Sequence, residues 1–372
     1  MEELAPLTAE LVAIDSVNPS LVAGGAGEIE IARVVAAWME QAGLDVSVLE
    51  PVAGRPSVVG IARGSGGGRS LMLNAHLDTV GVAGMDAPFS GRVEGGRLYG
   101  RGALDMKGSL ASIMLAGREA ARRGLRGDVV VTAVADEEAG SIGTEAVLER
   151  YRTDAAIVAE PTWLELAIGH RGFVGVEIAV AGRAAHGSRP DRGLDAIVRM
   201  GRVLVGLEEI DRRLQSGPRH PLLGTASAHA SVIEGGQELS SYPEQCMLLA
   251  ERRTLPGESV ADVESELAAM LSAAGRDDPD FHAEVRVPFA RDAYELPPDD
   301  PFAELVRRHA GEPELVGMPF WADSGLIAAA GIPTVLFGPG GEGMHETEEW
   351  VELADLQRCF AAYLAVADEF CA

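Results

Sequence analysis

LMLNAHLDTVG, residues 71–81, is an apolar strand pattern that runs directly into a histidine and an aspartate. A short apolar run ending in polar residues is how a buried parallel strand reads as it leaves its sheet, and ligands in such folds gather at those strand ends. Side chains two apart in extended chain point the same way, so Asp78 is expected to stand behind His76 and accept its second ring N–H. That contact would fix the tautomer and raise the basicity of the imidazole. A strand-end histidine bonded to a loop carbonyl is the plainer alternative for an H-x-D met alone.

The segments on either side repeat the pattern. Residues 6–14 and 28–42 read as helices, the second with Ile29, Ala32, Val35 and Met39 on one face and Gly43 as its stop. Strands follow at 44–49 and 57–62, then the glycine run 64–68, which precedes a strand and so reads as a loop tip instead of a phosphate cradle. Residues 81–100 read as a loop ending in GRGALDMKG, 100–108. From Asp105 onward Met106, Leu110, Ile113, Met114 and Gly117 share helical spacing, which puts Asp105 at a helix N-terminus, where capping alone would satisfy it. The strand at 127–135 delivers Asp136, Glu137 and Glu138 in succession. Adjacent carboxylates at a buried strand end repel one another unless a cation or solvent relieves them. A helix at 141–151 and a strand ending at Glu160 and Pro161 follow.

Beyond these the texture changes. Residues 171–287 alternate short strands with helices at 193–211 and 259–274, the pattern of a smaller antiparallel α+β unit. We read it as an insertion that divides an α/β domain into residues 1–170 and 288–372. The second part carries helices near 301–310 and 323–330, the strand 333–338, the loop PGGEGMHETEE with His345, and a last helix over 351–370.

A chain of 372 residues is long enough for two domains, or for one with a large insertion. The formal net charge of −26 would repel nucleic acid and an anionic membrane surface, which leaves small molecules as partners. Cys246, Cys359 and Cys371 are widely spaced and form no CxxC pair, so neither a disulfide framework nor a cysteine-rich zinc site is expected, and a reducing cytoplasm fits. The acidic start MEELAPLTAELVAIDS is unlike a signal peptide, and no run approaches the ~18 apolar residues of a membrane span. Lys107 is the sole lysine among arginines, which we read as compositional bias.

His76, Asp105, Glu138, Glu160 and His345 together form a set of imidazole and carboxylate donors without a thiolate. Such sets suit zinc, cobalt or manganese, and these five are too many for one tetrahedral catalytic zinc with an open position. Two metals bridged by one carboxylate would use them all, and Asp105, alone in its segment, is the natural bridge. Two such ions ~3.5–4 Å apart can lower the pKa of a water toward ~7 and polarise a carbonyl. Glu137, beside the ligand Glu138, is then the candidate to take the water's proton and pass it to a leaving amine.

The runs NAHLDTVG, GRGALDMKG, ADEEAGSIGT, VAEPT and MHETEE resemble, in order and spacing, those of the zinc amidohydrolases that include acetylornithine deacetylase, succinyl-diaminopimelate desuccinylase, aminoacylase and carboxypeptidase G. The resemblance spans nearly the whole chain. It implies a mixed-sheet, three-layer catalytic domain split by a smaller α+β lid or dimerisation domain, and hence a homodimer. It implies the same five metal ligands, two divalent ions with zinc foremost, Asp78 behind His76, Glu137 as general base, and a cis bond from Asp105 to Met106. From the insert, GRAAHGSRP at 182–190 is similar to the family's lid segment, which makes His186 a candidate for stabilising the oxyanion. An exposed turn histidine is the plainer account. Arg253 stands where the family carries an arginine near the substrate carboxylate, though a surface ion pair would explain it equally. Gly340, in GPGGEG at 338–343, would let the substrate backbone approach closely.

The expected activity is therefore two-metal cleavage of the amide bond of an N-acyl amino acid or small peptide. A metallo-carboxypeptidase or dipeptidase would keep every metal residue, and a silent binding module would be expected to have lost Glu137 or a ligand. His170, His220, His229, His282 and His309 lack a matching carboxylate context and are expected to be structural or exposed.

Overall fold

The computed structural model describes residues 3–372. The chain divides into two compact units: Met1–Ile168 with Leu296–Val316 and Ala322–Ala372, and Gly169–Glu295 with Gly317–Trp321. The short segment 317–321 joins the second unit because Gly317 packs on Leu222 and Leu223, and Met318 accepts the backbone N–H of Arg171.

The sheet of the first unit runs in spatial order Asp45–Leu49, Ser57–Ala62, Val129–Val134, Leu71–His76, Ala155–Val158 and Thr334–Leu336. Its first two pairings are antiparallel and the next three parallel. Ala167 then pairs antiparallel with Leu336. The strands Ser57–Ala62, Leu71–His76, Val129–Val134 and Ala155–Val158 are buried along their whole length, as expected where both faces are covered. Two close approaches show what covers them. A Cβ on Gly60 would meet Met39 of the helix Ile29–Gln41, whereas Gly143 of the helix Ile142–Arg150 lies against Ser57 Oγ. Residues 57 and 60 of one strand point to opposite faces, so helices pack on both sides of the sheet, in three layers.

Two expectations need correction here. Asp105 is not a helix N-cap: it sits in an irregular turn, Ala103–Lys107, with φ −118° and ψ 90°, and the regular helix begins at Gly108. Residues 81–100 are not wholly loop. They contain the hairpin Arg92–Glu94 and Arg97–Tyr99, turned by Gly95 and Gly96, both at positive φ. The hairpin extends into a small sheet through Trp350–Glu352 and Gly341–Glu342, the two strands that flank His345.

The second unit is a four-stranded antiparallel sheet, ordered Ser227–Gly235, Gln245–Thr254, Gly172–Ala181 and His282–Arg291. Along Gly172–Ala181 burial alternates strictly, and Val174, Val176, Ile178 and Val180 face a core shared with Met200, Val203 and Leu207 of the helix Ala196–Gln215 and Val263, Leu267 and Met270 of the helix Val260–Ala274. Asp195 and Ser259 cap these helices, Ser259 in a reciprocal box with Asp262. Among the described residues no helix is long and apolar enough to cross a membrane.

Candidate metal centre

Three parallel strands deliver side chains at their carboxyl ends, the usual place for a ligand in such a sheet. His76 closes Leu71–His76, Glu137 and Glu138 follow Val129–Val134, and Glu160 lies just past Ala155–Val158. Two loops complete the group. His345, at φ 62°, comes from the loop between Gly341–Glu342 and Trp350–Glu352, and Asp105 comes from the turn before the helix Gly108–Arg123. The bond from Asp105 to Met106 is cis, as expected there.

Asp105 faces a different histidine with each carboxylate oxygen: Oδ1 lies 3.0 Å from His76 Nε2 and Oδ2 lies 3.3 Å from His345 Nε2. Each histidine has a glutamate of its own, with Glu160 Oε1 3.8 Å from His76 Nε2 and Glu138 Oε2 3.2 Å from His345 Nε2. Donor atoms of His76, Asp105 and Glu138 lie within 4.8 Å of one another, as do those of His76, Glu137 and Glu160. The five residues expected as ligands are thus brought together, with Glu137 beside them.

The electrostatics describe a pocket short of positive charge. Burial pushes up the pKa of Glu137, Glu138 and Glu160, reinforced by neighbouring carboxylates, those of Glu160 and Asp105 foremost. Burial also works against a charged His76, but Asp105, Glu160 and Asp78 outweigh it and hold its pKa well above the ordinary value. Asp105 and Glu138 hold His345 up to about 10. Asp105 itself is desolvated, yet the two histidines keep it well below the usual carboxylate range. Glu138 Oε1 is buried without a hydrogen-bond partner. An orphaned carboxylate oxygen among crowded acids fits a bound cation, and the oxygen and imidazole donors fit zinc, cobalt or manganese.

Asp78 acts differently from the expectation. The nearest acceptor for His76 Nδ1 is the carbonyl oxygen of Asp78 at 2.9 Å, and the Asp78 carboxylate lies 3.7 Å away, beyond a hydrogen bond. The tautomer is fixed all the same, leaving Nε2 for a ligand. The Asp78 carboxylate instead accepts the backbone N–H groups of Glu137 and Glu138, at 3.1 and 3.2 Å, and Asn18 Nδ2 at 2.7 Å. Asn18 and Asp136 in turn take Arg55 Nη2, whose guanidinium also grips Glu28. This buried chain fixes the segment that carries Glu137 and Glu138.

Several participants escaped the sequence reading. Arg55 and Asn18 lie in segments with no local pattern to mark them. Glu349 and Arg101, a fully buried pair 2.6 Å apart, brace the Asp105 turn. Asp323 is buried, bonds Thr144 Oγ1 at 2.5 Å, and is raised to about 6 by desolvation. Lys107 is more than a compositional remnant: it is wholly buried, donates to Ile14 O at 2.6 Å, and is lowered to about 7 by burial.

Of the remaining candidates, Gly340 belongs to the first unit, where its N–H reaches Asp355 Oδ2 at 3.2 Å and a Cβ would meet that same oxygen first and the Trp163 ring next. His186 and Arg253 belong to the second unit. His186 is exposed on the two-residue strand Ala185–His186 and pairs through Nδ1 with Ser188 Oγ at 2.8 Å. Arg253 bonds Glu251 Oε1 at 2.6 Å, the ion pair weighed as its plainer role, and lies 5.5 Å from the centre of the Phe173 ring.

Comparison with known proteins shows the family and the fold. Residues 72–369 match the profile of peptidase family M20/M25/M40. The acetylornithine deacetylase of Myxococcus xanthus is 31% identical over 380 residues, covering 97% of this chain and 96% of that protein. Among solved structures, aminopeptidase PepT from Bacillus cereus superposes with a TM-score of 0.81 at 21% identity, covering 100% of this chain and 99% of that one. The YXEP protein of Bacillus subtilis, described as a dinuclear metal-binding peptidase, superposes with a TM-score of 0.73 at 18% identity, covering 99% and 98%.

Proposed function

We propose, for a chain that belongs to peptidase family M20/M25/M40 and is an enzyme of the hydrolase class, that it cleaves the amide bond of an N-acyl amino acid with two divalent metal ions. The observation that carries this reading is the placement of Asp105 between two histidines, each with its own glutamate. His76 and Glu160 would hold one ion, His345 and Glu138 the other, with Asp105 shared. Bound there, two ions would polarise the scissile carbonyl and acidify a water. Zinc is the metal we favour, and cobalt or manganese would accept the same donors.

Glu137 takes the proton of the attacking water and returns it to the departing amine. Its N–H is pinned by Asp78 Oδ1, so its backbone is fixed while its carboxylate stands beside His76 and Glu160. His186 stabilises the oxyanion, Arg253 takes the substrate carboxylate, and Gly340 lines the approach of the substrate backbone. His186→Ala is expected to lower kcat by roughly 10²-fold with metal content unchanged, a typical cost for one lost oxyanion donor. An unaltered kcat would return His186 to the exposed-turn account.

We assign the second unit to homodimer formation. The outer face of the helix Ala196–Gln215 exposes Val198 and Val205, and the edge strand Ser227–Gly235 exposes Val232 and Ile233. An apolar face beside an open strand edge is costly to leave bare, and sedimentation at the mass of a single chain would remove the assignment. The free, buried cysteines are consistent with a reducing cytoplasm.

The acyl group and amino acid are tested by amine release from N-acetylornithine, N-succinyl-diaminopimelate, other N-acyl amino acids and dipeptides. The reading predicts the highest kcat/KM within the N-acyl amino acids. A clear preference for dipeptides would make the enzyme a peptidase with the same metal centre.

A further inference from the structure

Glu349 has no exposed side-chain surface and no place among the candidate ligands. Each of its oxygens accepts two N–H groups. Oε2 takes Arg101 Nη1 at 2.6 Å and Gly102 N at 3.1 Å; Oε1 takes Leu104 N at 2.9 Å and Asp105 N at 3.1 Å. All the acceptor capacity of an ionised carboxylate is thereby used, three parts of it on the turn that carries Asp105. Arg101 extends the clamp. Besides Glu349 it donates to Glu346 O at 2.7 Å, next to His345, and to Gly81 O at 3.1 Å, in the segment after Asp78. One buried ion pair therefore ties together the three loops that follow or carry His76, Asp105 and His345. Gly343 makes the fold-back of the last loop possible, because a side chain there would run into the Glu348 carbonyl.

We propose that Glu349, held by Arg101, is a positioning residue that sets the Asp105 carboxylate between the two ions of the centre, an inference that rests on the two-metal reading above. Because Asp105 is shared, any drift of its turn alters both ion sites at once. Glutamine has the right shape and the wrong hydrogens: its NH2 group would face two N–H donors wherever it is placed.

The test compares Glu349→Gln with the unaltered full-length protein, each stripped of metal, by circular dichroism, by zinc titration against a competing chelator, and by the visible spectrum after loading with cobalt. The inference predicts a folded variant whose zinc affinity falls by about 10- to 100-fold, the range seen when groups behind metal ligands are removed, with a changed cobalt spectrum. Unchanged zinc affinity and cobalt spectrum would overturn it. Should Glu349→Gln fail to fold, Arg101→Lys decides. Lysine keeps the charge beside Glu349 but cannot reach Glu346 O and Gly81 O together, so weakened zinc binding is expected. Normal zinc binding, or failure of both variants to fold, would make the pair a folding element and nothing more. If the unaltered protein itself takes up no zinc, the two-metal reading is what fails.

Discussion

Replacing Glu137 by alanine is expected to lower kcat by about 10²–10⁴-fold, the contribution of a positioned general acid and base, while two metal ions per chain remain bound. The expectation comes from a division of labour within one dipeptide. Glu138 faces His345 at 3.2 Å and leaves its other oxygen unpartnered, as a ligand would, whereas Glu137 belongs to the pairing of His76 with Glu160 on the other side. Asp78 accepts both of their N–H groups, so truncating one side chain should leave the other in place. Metal analysis beside kinetics separates the roles. Loss of metal together with activity would make Glu137 a ligand.

Asp105→Ala is expected to be as damaging by another route, with neither ion held at working concentrations and activity lost through metal loss. Both histidines meet Asp105, so one substitution opens both sites. Metal content after dialysis measures this directly, and retention of two ions would exclude a bridging role. The same pocket gives zinc binding a pH dependence with a definite sign. In the metal-free protein Asp105 and Glu138 hold His345 at about 10, so at neutral pH it carries a proton that a metal must displace. The metal-bound state has fewer protons, so raising the pH toward 10 favours binding, by about tenfold per pH unit for each proton displaced. Zinc affinity that is flat or falls over that range would contradict His345 as a ligand.

How much of this was legible in the sequence depends on how local each signal is. His76, Glu138 and Glu160 could be read because a buried strand announces itself as an apolar run, and the residues at its end stand at the sheet's carboxyl edge. Asp105 stands out in the sequence as a lone carboxylate, but its geometry does not: helical spacing continues through Met106, yet the turn holding it is irregular and only Gly108 starts the helix. The hairpin Arg92–Glu94 and Arg97–Tyr99 carried a double-glycine turn that reads as a hairpin signal, but its partner strand Trp350–Glu352 lies far along the chain. The grip of Asp78 on residues 137 and 138, and that of Glu349 on the Asp105 turn, were invisible for the same reason. They are long-range contacts with backbone N–H groups, to which any residue type contributes.

The central claim is that two ions held by these residues perform amide hydrolysis, and it is tested most directly by adding zinc stepwise to the metal-free enzyme while monitoring amine release from its best N-acyl amino acid. The account predicts turnover that climbs until two zinc ions are bound per chain and vanishes on chelation. Turnover that persists in chelator, or two bound zinc ions with no amine released from any N-acyl amino acid or dipeptide, would contradict it.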